Sequence, residues 1–188
     1  SSKEGQKYLA DLKGWDYFAD PAKKGQTLYS IWFAETVESI WRELMDQGSP
    51  VVRPNNYQTI ALMRDNPEDE VFDVHMAAGI QTAHYHVQVG FDSLLVAMKK
   101  WEADEGTYEW ANYKKTTIQH LVPNFKAFSV PDVYTGGGPG ILNATGNRHG
   151  ASWRMVVELG PTVKAFGIYP GGQSGNPGSR FYANFIPI

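Results

Sequence analysis

Residues 152–179 read SWRMVVELGPTVKAFGIYPGGQSGNPGS, and the two halves of this stretch obey different rules. From Ala151 to Leu159, the residues Trp153, Met155, Val157 and Leu159 alternate with Ser152, Arg154, Val156 and Glu158. A period of two places the first set on a wholly apolar strand face and the second on a mixed face. Gly160-Pro161-Thr162 supplies turn chemistry, and Val163 to Tyr169 reads as the returning strand of an antiparallel hairpin. Arg154 and Glu158 share a side and are suited to a structural ion pair, and burial of Arg154 to hold the glycine-rich loop is favoured over the alternative of contact with substrate. That loop, Gly171 to Ser179, contains nothing that favours helix or strand. Its small residues admit positive φ and close backbone approach, while Ser174 and Asn176 are suited to bond neighbouring backbone groups.

Upstream, Thr135 to Gly140 is a second glycine-rich loop, and before Gly106 the punctuation gives way to helical spacing. Leu28, Ile31, Trp32, Ile40, Trp41, Leu44 and Met45 recur at intervals of three and four, which predicts a helix after Pro21 that Gly48 and Pro50 stop. Ile80, Ala83, Val87, Phe91, Leu94, Leu95, Met98 and Trp101 predict a second long helix from about Ile80 to Trp101. Shorter helices are expected over Lys3 to Phe18, with Tyr8, Leu9 and Leu12 inward, and over Tyr57 to Arg64, with Ile60, Ala61 and Met63 inward. The predicted class is α+β: a mainly helical segment 1–106 and a β-rich segment 107–188 with glycine-rich loops.

Composition removes several functions. Lys and Arg number 17 against 20 for Asp and Glu, a net charge of −3 that gives no long-range pull toward nucleic acid. The pairs Lys23-Lys24, Lys99-Lys100 and Lys114-Lys115 are read as solvated helix faces. With no Cys there is no disulfide scaffold and no thiolate chemistry. No apolar run approaches the roughly 18 residues of a membrane span.

The chemical motifs favour structure over catalysis. Gly172-Gln173-Ser174-Gly175-Asn176 approaches a nucleophile elbow, but Asn stands where the last Gly belongs and Pro177 follows where a helix must start. The loop also lacks the Lys and Ser or Thr of a phosphate-binding loop. His84 and His86, two apart, would point about 200° apart on a helix and cannot share an ion. His84 is placed on the apolar stripe as a hydrogen-bonded core histidine. His75, His120 and His149 have no local partner for zinc or a triad. The acidic run Asp65 to Glu70 reads as a solvated loop or a helix start at Pro67. Ser1 could act as its own nucleophile through the α-amine, but the polar lead Ser2 to Gln6 points to a fragment boundary.

One likeness ties the motifs together. Gly136-Gly137-Gly138 with Leu142-Asn143, then Gly150 to Val157, then Gly172 to Ser179 resemble, in order and spacing, the end of the large chain of penicillin acylases and related cephalosporin, aculeacin and homoserine-lactone acylases. Trp110 and Ile118 to Pro123 are similar to the family's approach to this region. The resemblance implies an N-terminal-nucleophile hydrolase of αββα sandwich fold, made as a zymogen and cleaved autocatalytically, whose new N-terminal serine attacks the amide of an N-acyl substrate. It implies a periplasmic or secreted place, a role in antibiotic metabolism, and partners in the rest of the same acylase, its small chain and the earlier part of the large chain. The motifs themselves call for no cofactor; a structural calcium is implied only for other segments. No catalytic residue transfers. Ser152, Trp153, Arg154, Gly172, Gln173, Ser174, Gly175, Asn176, Pro177, Gly178 and Ser179 match as family scaffold. The chain is therefore expected to be a fragment of a larger acylase domain, inactive alone, that would normally continue past Ile188. The alternative reading is a stand-alone, non-catalytic interaction module, and a third is a hydrolase using Ser174 or Ser1.

Overall fold

The computed structural model describes residues 3–46, 52–73, 79–150 and 152–186. The chain is α+β, with five α-helices and two antiparallel two-stranded sheets among these residues. It divides into two compact units, a helical one formed by Ser1–Gly14 and Leu28–Gly106 and a loop-rich one formed by Trp15–Thr27 and Thr107–Ile188.

In the helical unit, α1 (Lys3–Lys13) is shorter than its expected span, and only Tyr8 of its inward set is fully buried; Leu9 and Leu12 are half-buried. Tyr8 donates its hydroxyl to Glu102 at 2.9 Å, and Lys7 pairs with the same carboxylate at 2.7 Å. Burial and the Glu102 charge push the Tyr8 hydroxyl far above its ordinary range. The long helix α2 (Gly25–Asp46) buries Leu28, Ile31, Val37, Ile40 and Trp41. Leu44 and Met45, expected on the same stripe, are exposed among the described residues. Gly48 and Pro50 lie outside the described residues.

Helix α3 (Asn56–Asp65) begins at a capping box: Asn55 accepts from the Gln58 N–H at 2.9 Å, and Gln58 returns the bond to the Asn55 N–H at 3.1 Å. Its fully buried residue is Thr59, which takes a hydrogen bond from the Trp41 indole; of the expected inward set Met63 packs, half-buried, against the core cluster, Ala61 is half-buried and Ile60 is exposed. Asp69 of the acidic run caps a 3₁₀ turn over Glu70–Phe72 through the Val71 N–H. Helix α4 (Ala83–Glu105) starts three residues later than its apolar spacing suggests and ends at Gly106, whose φ of 75° closes it. Ile80 is exposed.

The α4 register corrects one expectation. His84 is exposed and His86 is the core histidine, because the buried line runs Ala83, His86, Gly90, Leu94 and Met98. His86 Nε2–H donates to the Phe72 carbonyl at 2.9 Å, so its Nδ1 accepts the Ser39 hydroxyl at 2.8 Å. Burial holds its pKa below the ordinary 6.5, with the Phe72 carbonyl pulling the other way. Phe72 and Trp41 centre a cluster with Val37, Ile40 and Ala83. Helices α2 and α4 meet where Trp32 donates to the Val87 carbonyl and where Gly90 lies against Thr36.

In the loop-rich unit, α5 (Trp110–Lys114) has its first free N–H groups satisfied by earlier chain: Trp110 donates to the Lys23 carbonyl and Ala111 to that of Pro21. Strands β1 (Thr116–Ile118) and β2 (Val130–Val133) pair antiparallel with one residue more on β2 than on β1. Asp132, at φ 53°, sits at that bulge. Strands β3 (Arg154–Glu158) and β4 (Lys164–Ile168) form the hairpin, in the register Val156 opposite Phe166. Every residue of both strands is exposed, so neither face is covered by the described chain.

Candidate functional site

The glycine-rich loops are positioned by groups that approach their backbone. After α5 the chain returns as Gly136-Gly137-Gly138, where a side chain at Gly136 would run into the Ala19 carbonyl. Gly137, at φ 80°, donates to that same carbonyl at 2.7 Å. Lys114, read from sequence as half of a solvated pair, is instead buried at 7 % exposure, while Lys115 stays in solvent. Its ammonium donates to the Gly136 carbonyl at 2.6 Å, the Thr145 hydroxyl at 2.7 Å and the Gly137 carbonyl at 3.3 Å. Three donors meet three acceptors, and among the described residues no carboxylate pairs with this ammonium. Burial pulls the Lys114 pKa down from 10.5 to about 8. The Trp110 indole N–H donates to the Gly137 carbonyl, and its ring lies 5.7 Å below the ammonium. A single basic residue in a charged pair offers no sequence signal for this; the burial comes from long-range chain return.

The loop continues to the hairpin. Gly138 donates to the Asn143 carbonyl, and the Asn143 side chain accepts from the Arg154 guanidinium. Arg154 is thus exposed and turned to Asn143, not buried and not paired with Glu158. Four residues along a strand span about 13 Å, too far for such a pair, and Glu158 meets Lys164 across the hairpin at 3.8 Å instead. Ser152 is exposed, and Trp153 stacks on Tyr169 at 6.0 Å over Gly167.

The second loop is pinned to residues 181–186. A side chain on Gly172 would strike the Phe181 and Tyr182 carbonyls. Ser174 donates its N–H to the Phe181 carbonyl, Gln173 its N–H to Asn184, and Phe185 its N–H to the Gly171 carbonyl. Ser174 Oγ accepts from the Asn176 N–H at 3.1 Å, and Asn176 Oδ1 accepts from the Gly178 N–H at 2.9 Å. Ser179 Oγ accepts from the Phe181 N–H at 3.2 Å; Gly175 faces open space and Pro177 is exposed.

Ser174 and His120 line one cleft of about 470 Å³. The Val122 N–H donates to His120 Nδ1 at 3.0 Å, so in the neutral ring Nε2 carries the proton. That ring is a donor toward the cleft and has no free lone pair to take the Ser174 proton, so the two do not form a nucleophile and base. His149 faces Gly146 and donates its Nδ1–H to the Gly150 carbonyl at 3.0 Å, and His75 lies outside the described residues. Among the described residues no three His, Asp or Glu side chains gather as metal ligands, whereas calcium takes roughly six to eight oxygens.

The penicillin amidase family matches the chain over residues 1–188, its whole length. The chain belongs to that family. By family it is therefore an amidohydrolase of the penicillin acylase type, and the motif from Gly136 to Ser179 sits within the match. No curated protein matches the chain. No helix among the described residues is long and apolar enough to cross a membrane.

Proposed function

We propose that this chain is a scaffold portion of an N-terminal-nucleophile acylase that hydrolyses the amide of N-acyl substrates, such as a β-lactam side chain or an acyl-homoserine lactone. The nucleophilic serine, the oxyanion donors and any structural calcium belong to other segments of the acylase, which is processed from a zymogen in the periplasm or outside the cell. The observation that carries this reading is the hairpin. Trp153, Met155, Val156, Val157, Phe166 and Ile168 are all exposed, Trp153 at 59 % and Phe166 at 66 %, at the centre of the family motif. So large an apolar surface on both faces of one hairpin calls for a covering partner. The roles of Ser174 Oγ and His120 Nδ1 as local acceptors further support a site without its own nucleophile.

The test is hydrolysis of a chromogenic N-acyl amide by the chain alone and by the chain co-produced with the remaining acylase segments. Activity should appear only in the combination and should survive Ser174→Ala. Turnover by the chain alone that Ser174→Ala or removal of Ser1 abolishes would sink the proposal.

A further inference from the structure

The cleft that Ser174 and His120 share is walled by apolar and aromatic groups, among them Val122, Phe128, Tyr169 and Tyr182, and its volume of about 470 Å³ lies in the range of small-molecule sites. Gln119 and the hydroxyls of Tyr169 and Tyr182 are among its polar lining, and three further polar side chains, His120, Gln173 and Ser174, have each already spent an acceptor within the fold. His120 Nδ1 takes the Val122 N–H, Ser174 Oγ takes the Asn176 N–H, and Gln173 Oε1 takes the Asn184 side-chain N–H at 3.3 Å. What remains at each is a proton: His120 Nε2–H, the Ser174 hydroxyl hydrogen and the Gln173 amide hydrogens. Among the described residues none of these three donors has an acceptor, and no Asp or Glu lines the cleft. The loop that carries two of them is held against residues 181–186 by backbone bonds, so the donors are ordered before any ligand arrives.

We infer that this cleft binds a small carboxylic acid with an apolar chain, its carboxylate received by His120, Gln173 and Ser174 and its chain by the aromatic wall. Hydrogen bonds to an ionised acceptor are shorter and stronger than neutral ones, and three donors lining one cleft favour a carboxylate over an alcohol of the same chain length. Acids of this class are what hydrolysis of an N-acyl amide releases. Binding here needs no turnover and no other segment, so its failure leaves the acylase reading untouched.

The experiment is a titration of the ¹⁵N-labelled 188-residue chain with octanoate and, separately, with 1-octanol, followed by amide shifts. Octanoate should give saturable shifts confined to His120, Gly171 to Gly175 and Tyr182, and should bind at least tenfold tighter than 1-octanol. Gln173→Glu keeps the acceptor for Asn184 but places a carboxylate in the donor set; it should weaken octanoate at least tenfold and leave 1-octanol unchanged. Absence of a saturable octanoate shift, equal binding of the alcohol by the unaltered chain, or undiminished octanoate binding by Gln173→Glu each overturns the inference.

Discussion

In the helical unit the atoms that decide the fold are carbons, those of Trp41, Phe72, Leu94 and Met98; in the loop-rich unit they are carbonyl oxygens, those of Ala19, Gly136, Gly137 and Phe181. One buried basic group in each unit shows the same contrast. His86 sits neutral among rings and satisfies two neighbours, whereas Lys114 brings a charge to three oxygens. Helices satisfy their own backbone and leave side chains to pack. Loops without regular structure must find partners for their carbonyls elsewhere, which is why a buried ammonium and an indole N–H are placed at the Gly136–Gly138 turn.

If that contrast holds, crowding should injure the helical unit most. Gly90→Ala would set a Cβ 2.8 Å from the Thr36 backbone nitrogen and closer still to its hydroxyl, forcing α2 and α4 apart. A loss of about 3 kcal/mol, or about 10 °C in Tm, is expected in thermal unfolding followed by helical circular dichroism. An unchanged Tm would mean that the close approach is not a constraint.

Removing a charge should injure the loop-rich unit next. Lys114→Met leaves the Gly136 carbonyl with the Thr145 hydroxyl and the Gly137 carbonyl with Trp110, but without the ammonium. The expected cost is about 2 kcal/mol, seen as lost hydrogen-exchange protection over residues 136–146 with α4 unaffected. Equal loss of protection in both units would erase the distinction drawn between them.

The two buried groups should also respond to pH in separate windows. His86 has a folded pKa below 6.5, so the folded chain binds fewer protons than the unfolded one; stability is full above pH 6.5 and is lost as pH falls from there through the folded value. Lys114 has its folded pKa lowered from 10.5 to about 8, so stability rises between about pH 8 and pH 10.5. Denaturant midpoints measured across pH should lose the acid slope in His86→Gln and the alkaline slope in Lys114→Met. Crossed effects would count against these assignments.

The smallest effect belongs to Arg154→Met. The side chain is exposed and holds one contact, to Asn143, so the expected change is below about 1 kcal/mol. A drop of several kcal/mol in urea unfolding would restore to Arg154 the buried role that its position in the motif suggests.

Much of the local structure is legible in the residues. The hairpin follows from alternation on either side of Gly160-Pro161, and α2 and α4 from their three-and-four spacing. The turn at Ser174 and Asn176 is readable because both bonds reach only two residues along the chain. The Asn55 and Gln58 capping box was available to any reading that looked three residues ahead of an apolar run. Harder positions depend on distance. His84 and His86 differ by two helix positions, and which of them is buried is settled by where Phe72 and Ser39 stand. Strands β1 and β2 are three and four residues long and are joined only after a 3₁₀ excursion over Pro123–Phe128, so neither announces itself.

By itself, then, the sequence determined the elements whose bonds close within a few residues: the helices, the hairpin, the turns, and with them the order of motifs that marks the penicillin amidase family. The tertiary structure alone decided that Lys114 leaves water for the carbonyls of a loop more than twenty residues away, that Arg154 turns to Asn143 and not to Glu158, and that Ser174 and His120 share a cleft. Local bonds are enforced by the covalent chain, whereas burial and charge depend on which distant segments return, and one-dimensional spacing does not encode that return.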